Sequence, residues 1–156
     1  FVLAALLDDV LMQASERLHR MSKGRYRLLR TRQSAEGRGG GLDLEIEDAY
    51  SGFTRPVSTL SGGESFQAAL SLALGLADVV QTYAGGVSLE TIFIDEGFGS
   101  LDEEALDLAI NALIDLQNTG RLVGVISHVG ELKEQMANRI DVHASRIGST
   151  VSLVTA

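Results

Sequence analysis

Leu60-Ser61-Gly62-Gly63-Glu64 is followed further along the chain by Thr91-Ile92-Phe93-Ile94-Asp95-Glu96, and the order of these two stretches decides the fold. Two adjacent glycines carry no Cβ, so their backbone N–H groups can come against phosphate oxygens, and the Ser61 hydroxyl adds another donor. The run from Ser65 to Val80 reads as a helix whose N-terminus aims partial positive charge at the same anion. A capping box would explain Ser61 and Glu64 without any ligand, but it asks for neither Gly62 nor Gly63. In the second stretch an apolar strand ends in two acids, at the carboxyl end where α/β proteins place ligands. Adjacent carboxylates repel, and a divalent cation relieves that repulsion. Asp95 suits a Mg²⁺ ligand, directly or through water, and Glu96 suits a group that orients or deprotonates an attacking water. Two solvated acids opening a loop are the ligand-free alternative.

Working outward, Gly97-Phe98-Gly99-Ser100-Leu101-Asp102 makes a tight turn into a helix with Glu103 and Glu104 in its first turn, and Asp102 is a good N-cap on structural grounds alone. A strand from Leu122 to Ile126 then ends in Ser127-His128, again at a carboxyl end. A lone histidine there is as readily a neutral imidazole closing a loop; beside the other motifs it reads as a phosphate neighbour. His19 and His143 lack such a setting and read as surface or packing residues.

With Gly24-Arg25-Tyr26, Thr59 to Phe66, Phe93 to Asp102 and Ile126-Ser127-His128-Val129, the chain resembles the C-terminal half of the ATPase head of the SbcC-type exonuclease subunits. These belong to the SMC-like branch of the ABC-type ATPases. The resemblance runs essentially end to end; Ser65-Phe66 and Gly97-Phe98-Gly99 tilt it to the SbcC type. It implies an α/β P-loop NTPase head, C-terminal lobe only, with central parallel strands flanked by helices and an antiparallel hairpin. It implies that Leu60, Ser61, Gly62, Gly63 and Glu64 are the signature motif, touching the γ-phosphate of ATP held by a partner head. Asp95 corresponds to the Walker B metal ligand, Glu96 to the catalytic base and His128 to the switch histidine. Ser100, Leu101 and Asp102 correspond to the D-loop at the dimer interface. ATP and Mg²⁺ are the implied cofactors.

One departure is large: no Gly-x-x-x-x-Gly-Lys-Ser/Thr string occurs, and the glycine-rich Gly37 to Gly41 has no lysine after it and looks like a flexible hairpin loop. In the family the phosphate-cradling loop lies in the N-terminal half, beyond a long coiled coil. The chain is therefore expected to be half a head, binding ATP poorly and hydrolysing it hardly at all by itself. The implied partners are the N-terminal half of the same protein, a second head, an SbcD-type nuclease and DNA.

The 156 residues, 45% of them apolar, supply enough material for a core. There is no cysteine, which excludes disulfides, thiol nucleophiles and cysteine metal sites. No apolar stretch approaches the ~18 residues of a membrane span, and the N-terminus has acids and no basic leader pattern. A cytoplasmic protein without a membrane partner is the expectation. The single proline, Pro56, and the lack of low-complexity sequence argue against a disordered linker. The net charge of −8 is unevenly spread: residues 17–38 hold eight basic residues and one acid, while the rest holds five basic and twenty acidic residues. Within that strip Arg20, Lys23, Arg25, Arg27, Arg30 and Arg32 are candidate DNA contacts, or solvated surface charge, or a face for a protein partner.

Residues 2–21 space Leu3, Leu7, Val10, Ala14, Leu18 and Met21 as an amphipathic helix that begins without a cap, as a truncated arm would. Residues 1–24 are accordingly expected to be the end of a coiled-coil arm, where the family docks its nuclease, or an ordinary core-facing helix. Residues 25–156 form the half-head. Strands are expected at 25–31 and 42–47, the second alternating Leu42, Leu44 and Ile46 with acids. A buried helix at 64–80 is followed by a strand at 91–95, then by a helix at 102–118 burying Leu106, Ile110, Leu113 and Ile114. A strand at 121–126, a short helix at 130–137 and strands at 139–144 and 150–154 complete the set. The strand-helix-strand unit 91–126 predicts a parallel pair with a right-handed crossover. Two other readings share part of the pattern: a chromosome-structure SMC or recombination-repair ATPase head, and a non-catalytic scaffold that keeps the head fold.

Overall fold

Among the described residues, hydrophobic spacing sorts the chain into four α-helices and three small sheets. The computed structural model describes residues 2–31, 43–83, 85 and 89–155. The glycine-rich stretch 37–41, Leu42 and Arg32 lie outside the described residues. Helix α1 (Val2–Met21) leads to β1 (Tyr26–Arg30), β2 (Leu44–Asp48) and β3 (Phe53–Pro56). Then come α2 (Gly62–Tyr83), β4 (Thr91–Asp95), α3 (Glu103–Asn118), β5 (Leu122–Ile126) and α4 (Gly130–Gln135). β6 (Arg139–Ser145) and β7 (Gly148–Val154) close the chain.

The first sheet is antiparallel in the order β1-β2-β3, pairing Leu28 with Ile46 and Ile46 with Arg55. β3 extends the expected hairpin by a strand that periodicity does not show, because four residues ending in Pro56 are too short to alternate. Proline sits on its edge, where no ladder hydrogen bond is lost. β4 and β5 pair in parallel, Phe93 opposite Gly124 and Asp95 opposite Ile126, as the strand-helix-strand unit requires. β6 and β7 form a separate antiparallel hairpin.

Two apolar clusters hold these layers. One packs Leu11, Ala14 and Leu18 of α1 onto Tyr26, Leu28 and Ile46 of the antiparallel sheet and onto Ala68 of α2. The other packs Leu70 and Leu74 of α2 against Leu106, Ile110, Leu113 and Leu116 of α3, over Ile92, Ile94, Val123 and Val125 of the parallel pair. Each large aliphatic side chain so buried contributes about 1.5–3 kcal/mol. Ile114, expected in this core, is 44% exposed. It follows Leu113 by one residue, about 100° around the helix, and Leu113 takes the inward position. α2 is longer than expected at both ends, and Leu76, Val80 and Tyr83 leave its last turns apolar and exposed.

Where α1 crosses α2 the two backbones nearly touch. A Cβ on Gly75 would lie 2.9 Å from both the Ala14 nitrogen and the Val10 oxygen, so only glycine fits. The parallel pair has one covered face and one bare one. Ile92, Ile94, Val123 and Val125 point into the core, whereas Phe93 is 70% and Ile126 55% exposed on the opposite side. The Phe93 ring lies against Gly124, where a Cβ would come within 2.4 Å of it. Parallel sheets are normally covered on both faces.

Candidate functional site

The turn before α2 is built by reciprocal capping. The Ser61 backbone N–H donates to Glu64 Oε2 at 2.9 Å, and the Glu64 N–H donates to Ser61 Oγ at 3.4 Å. The capping-box reading is thus correct as far as it goes. Close packing accounts for one of the two glycines it leaves unexplained: a Cβ on Gly63 would stand 3.0 Å from the Ser100 carbonyl, whereas one on Gly62 would meet Ser100 Cβ at an ordinary 3.5 Å. The Leu60–Glu64 turn is thereby pressed onto the Ser100–Asp102 turn. Asp102 caps α3, its Oδ1 accepting from the Ala105 N–H at 2.8 Å.

Glu64 carries a second set of bonds. The Tyr26 hydroxyl donates to its Oε1 at 2.5 Å, and Arg25 Nη1 donates to the same oxygen at 3.4 Å. Arg25 continues to Asp48, its Nε to Oδ1 at 3.2 Å and Nη2 to Oδ2 at 3.0 Å, and its guanidinium stacks over the rings of Tyr26 and Tyr50. Arg55 donates to the Tyr26 hydroxyl at 3.3 Å and to the Thr59 oxygens at 2.8 and 2.6 Å. Burial alone would raise the Glu64 carboxyl. Bonds from Tyr26 and Ser61 and the Arg25 charge outweigh it and hold the group below its usual value. Bonding to Arg25 likewise holds Asp48 low. Burial, followed by the bond to anionic Glu64, pushes the Tyr26 phenol up to about 12.

On the other side of the Ser100 turn, β4 and β5 end side by side. Glu96 takes a left-handed backbone with φ 60°, its N–H donating to the Ile126 carbonyl at 2.9 Å, and Gly97 continues at φ 99°. Its carboxylate reaches His128, Nδ1 to Oε2 at 2.9 Å. Both side chains are open to solvent, as is Asp95. Among the described residues no three histidine, cysteine or acidic side chains converge as a ready-made metal cage. Mg²⁺ does not need one, because it keeps waters and takes one or two carboxylates plus substrate phosphates. Asp95 with Glu96 beside it fits that partial donor set.

A groove of about 410 Å³ runs along the Ser61–Glu64 turn, lined also by Lys23, Arg25, Tyr50 and Asp102. A second cavity of about 360 Å³, between α1, α2 and α3, holds none of the motif residues. Its wall is an ion-pair cluster in which Arg17 and Arg121 share Asp78. The basic strip is not a continuous bare surface. Arg25 is matched by Asp48 and Glu64, Arg30 pairs with Asp8 at 3.6 Å, and Lys23 pairs with Glu104. Arg20 and Arg27 are exposed and make no ion pair among the described residues.

Sequence reasoning names the motif residues but not Tyr26, Asp48 and Arg55 as their support. Asp48 leaves a signal: it falls on the inward register of β2 with Leu44 and Ile46, where a carboxylate needs a partner.

A family model described as SbcC/RAD50-like, Walker B motif, matches residues 41–115. The chain is 67% identical over 156 residues to the SbcC subunit of the nuclease SbcCD of Vibrio cholerae, covering 99% of this chain and 15% of that protein. It is 47% identical over 150 residues to the protein of the same name from Staphylococcus aureus strain JH9, covering 96% of this chain and again 15% of the relative. The chain therefore spans about 15% of the length of these curated relatives. A head solved in work on ATP-driven dimerisation and DNA-stimulated activation of SMC ATPases superposes with a TM-score of 0.69 at 20% identity, covering 99% of this chain and 88% of that one. The Smc head of Pyrococcus furiosus bound to the C-terminal domain of ScpA gives a TM-score of 0.68 at 20% identity, covering 96% and 35%. The fold is that of an SMC-type head.

Proposed function

The chain belongs to the SbcC/RAD50-like family, and on that premise we propose that it is the C-terminal ATPase half of a head in a DNA-end-processing nuclease complex. The missing half supplies the phosphate-cradling loop, and two complete heads close on two ATP molecules. Each nucleotide then lies between one head's phosphate loop and the other head's Leu60–Glu64 turn. Hydrolysis reopens the heads and changes what an SbcD-type nuclease can reach on DNA.

In this reading Ser61 and the Gly62 and Gly63 N–H groups donate to the γ-phosphate across the interface. Asp95 would hold Mg²⁺, which would supply positive charge against that of the phosphates. Glu96 accepts the proton of the attacking water, and His128 orients the Glu96 carboxylate and reaches a phosphate oxygen. Ser100 to Asp102 carry the interface turn. Residues 1–24 present the arm on which the nuclease sits, and Arg20 and Arg27 are the basic residues best placed to meet DNA. The setting of this work is the cytoplasm. No helix among the described residues is long and apolar enough to cross a membrane.

The carrying observation is the meeting of Glu96 and His128, distant in sequence, at 2.9 Å beyond the carboxyl ends of two parallel strands. The bare face of that strand pair supports the half-head reading, since a further layer has to cover Phe93 and Ile126. The test is to mix the chain with the complementary half and measure ATP-dependent dimerisation and hydrolysis, then nuclease activity with the partner nuclease added. Stable mixing with no ATP turnover would leave a scaffold as the better description.

A further inference from the structure

Phe66 stands in the second turn of α2, two residues beyond Glu64 of the capping box, and its ring lies on the loop that carries Glu96. A Cβ on Gly97 would come within 2.3 and 2.4 Å of Phe66 Cε2 and Cδ2, so the ring occupies the space any other residue at 97 would fill. The same ring meets Phe98 edge-on, centroids 4.8 Å apart at 61°, and Phe98 is wholly buried. Gly97 continues the left-handed backbone of Glu96, and its carbonyl accepts from Ser100 Oγ at 2.9 Å. Thus the backbone that aims Glu96 is pinned from one side by Phe66 and from the other by the Ile126 carbonyl. The Glu96 side chain itself has one polar partner among the described residues, His128.

We propose that Phe66 is a positioning residue that ties the two nucleotides of the head dimer together within one chain. This rests on the functional reading above, in which the Ser61–Glu64 turn serves the nucleotide on the partner head and Glu96 serves the one on its own side. Both lie against the same short stretch, Gly97 to Leu101: Gly62 and Gly63 pack on Ser100 and Leu101, and Phe66 packs on Gly97 and Phe98. When the turn before α2 shifts to grip a γ-phosphate, the Phe66 ring moves with it. The Glu96 backbone, held in a conformation costly for a residue with a side chain, follows. Phosphate contact in one site is thereby reported to the base of the other.

The experiment uses the head reassembled from this chain and its complementary half, together with the nuclease. Phe66→Leu keeps an apolar side chain and removes the ring; Phe66→Tyr keeps the ring. The expectation for Phe66→Leu is a kcat lowered by roughly tenfold to a hundredfold, as for a small displacement of a reacting group. ATP affinity, measured in a Glu96→Gln background that holds the nucleotide, stays within about twofold, and the Hill coefficient for ATP falls toward one. Phe66→Tyr restores both kcat and cooperativity. A Phe66→Leu head with wild-type kcat and Hill coefficient would overturn the proposal. So would kcat and bound ATP falling together in proportion to lost folded protein with cooperativity unchanged. If Phe66→Leu does not fold, Phe66→Met carries the same comparison. A wild-type head that binds no ATP or turns none over fails the functional reading itself, and is distinguished from failure at Phe66 by that control.

Discussion

Glu64 and Glu96, the two acids on either side of the Ser100 turn, are held in opposite ways. Glu64 sits inside a mesh: the Tyr26 hydroxyl, Arg25 and the Ser61 backbone N–H donate to its carboxylate, its own N–H donates to the Ser61 hydroxyl, and Asp48 and Arg55 brace those donors. Glu96 has an exposed carboxylate with one histidine beside it, and what fixes it is backbone: a left-handed φ, a hydrogen bond to the facing strand and a ring pressed on the next residue. The first arrangement suits a group that must keep a turn in shape. The second leaves a carboxylate free to take a proton while its position is set from behind.

The comparison is broken most sharply at Glu96. Glu96→Gln in the reassembled head should lower turnover by about 10²–10⁴-fold, the usual worth of a general base, with ATP binding intact. Denaturant unfolding should find its stability within about 0.5 kcal/mol of the parent, because the side chain is exposed. Near wild-type hydrolysis would remove Glu96 from its role. Glu64→Ala should do the reverse in unfolding experiments, costing roughly 2–3 kcal/mol as partly buried donors lose a charged acceptor, and should also weaken ATP-dependent dimerisation.

Tyr26→Phe is a smaller change at the same mesh, worth about 1.5 kcal/mol as the bond donated to Glu64 and the one accepted from Arg55 are lost. It carries a pH signature. The folded Tyr26 value of about 12 exceeds its ordinary 10.0, so its contribution is complete below pH 10 and disappears as pH rises toward 12. Tyr26→Phe should flatten that alkaline loss. At the acid end the folded values of Glu64 and Asp48 lie below their ordinary 4.5 and 3.8. Their contribution is complete above those values and is lost as pH falls through the folded ones, an acid limb that Tyr26→Phe retains in part. The smallest effect is expected at His128→Ala: less than about 0.5 kcal/mol in stability, since the ring is solvated, against a clear loss of turnover. A large stability loss there would mean that His128 is a structural residue closing its loop.

The elements with strong periodicity can be read from the chain alone. α1, α2, α3 and the β4–β5 pair follow from apolar spacing and from strand-helix-strand order, and their ends lie within a few residues of expectation because Ser61 and Asp102 are recognisable caps. β3 cannot be read in this way, since Phe53 to Pro56 is an edge strand whose identity comes from pairing with β2 rather than from its own pattern. Ile114 is misplaced by spacing because a single helix turn offers two adjacent apolar residues and only tertiary packing chooses between them. At the site, residue types with a chemical purpose are legible, and the meeting of Glu96 with His128 is what their strand-end positions imply. The Arg25 to Asp48 to Glu64 mesh is not, because it joins three segments whose mutual placement only the fold provides. In sequence, its Arg25 reads as surface charge for DNA.

The close approach at Gly75 makes α1 and α2 a single joined pair, tied again at Asp9 with Tyr83 and at Met21 with Gln67. With no clearance between the backbones at Ala14 and Val10, neither helix can slide or lift there without moving the other. From Gly75 back to Gly62 is about 20 Å of helix, and from Ala14 back to Val2 about 18 Å, at ~1.5 Å per residue. These stretches end at Val2 on α1 and, on α2, at the turn that holds Ser61. Any side chain at position 75 would force the two helices apart.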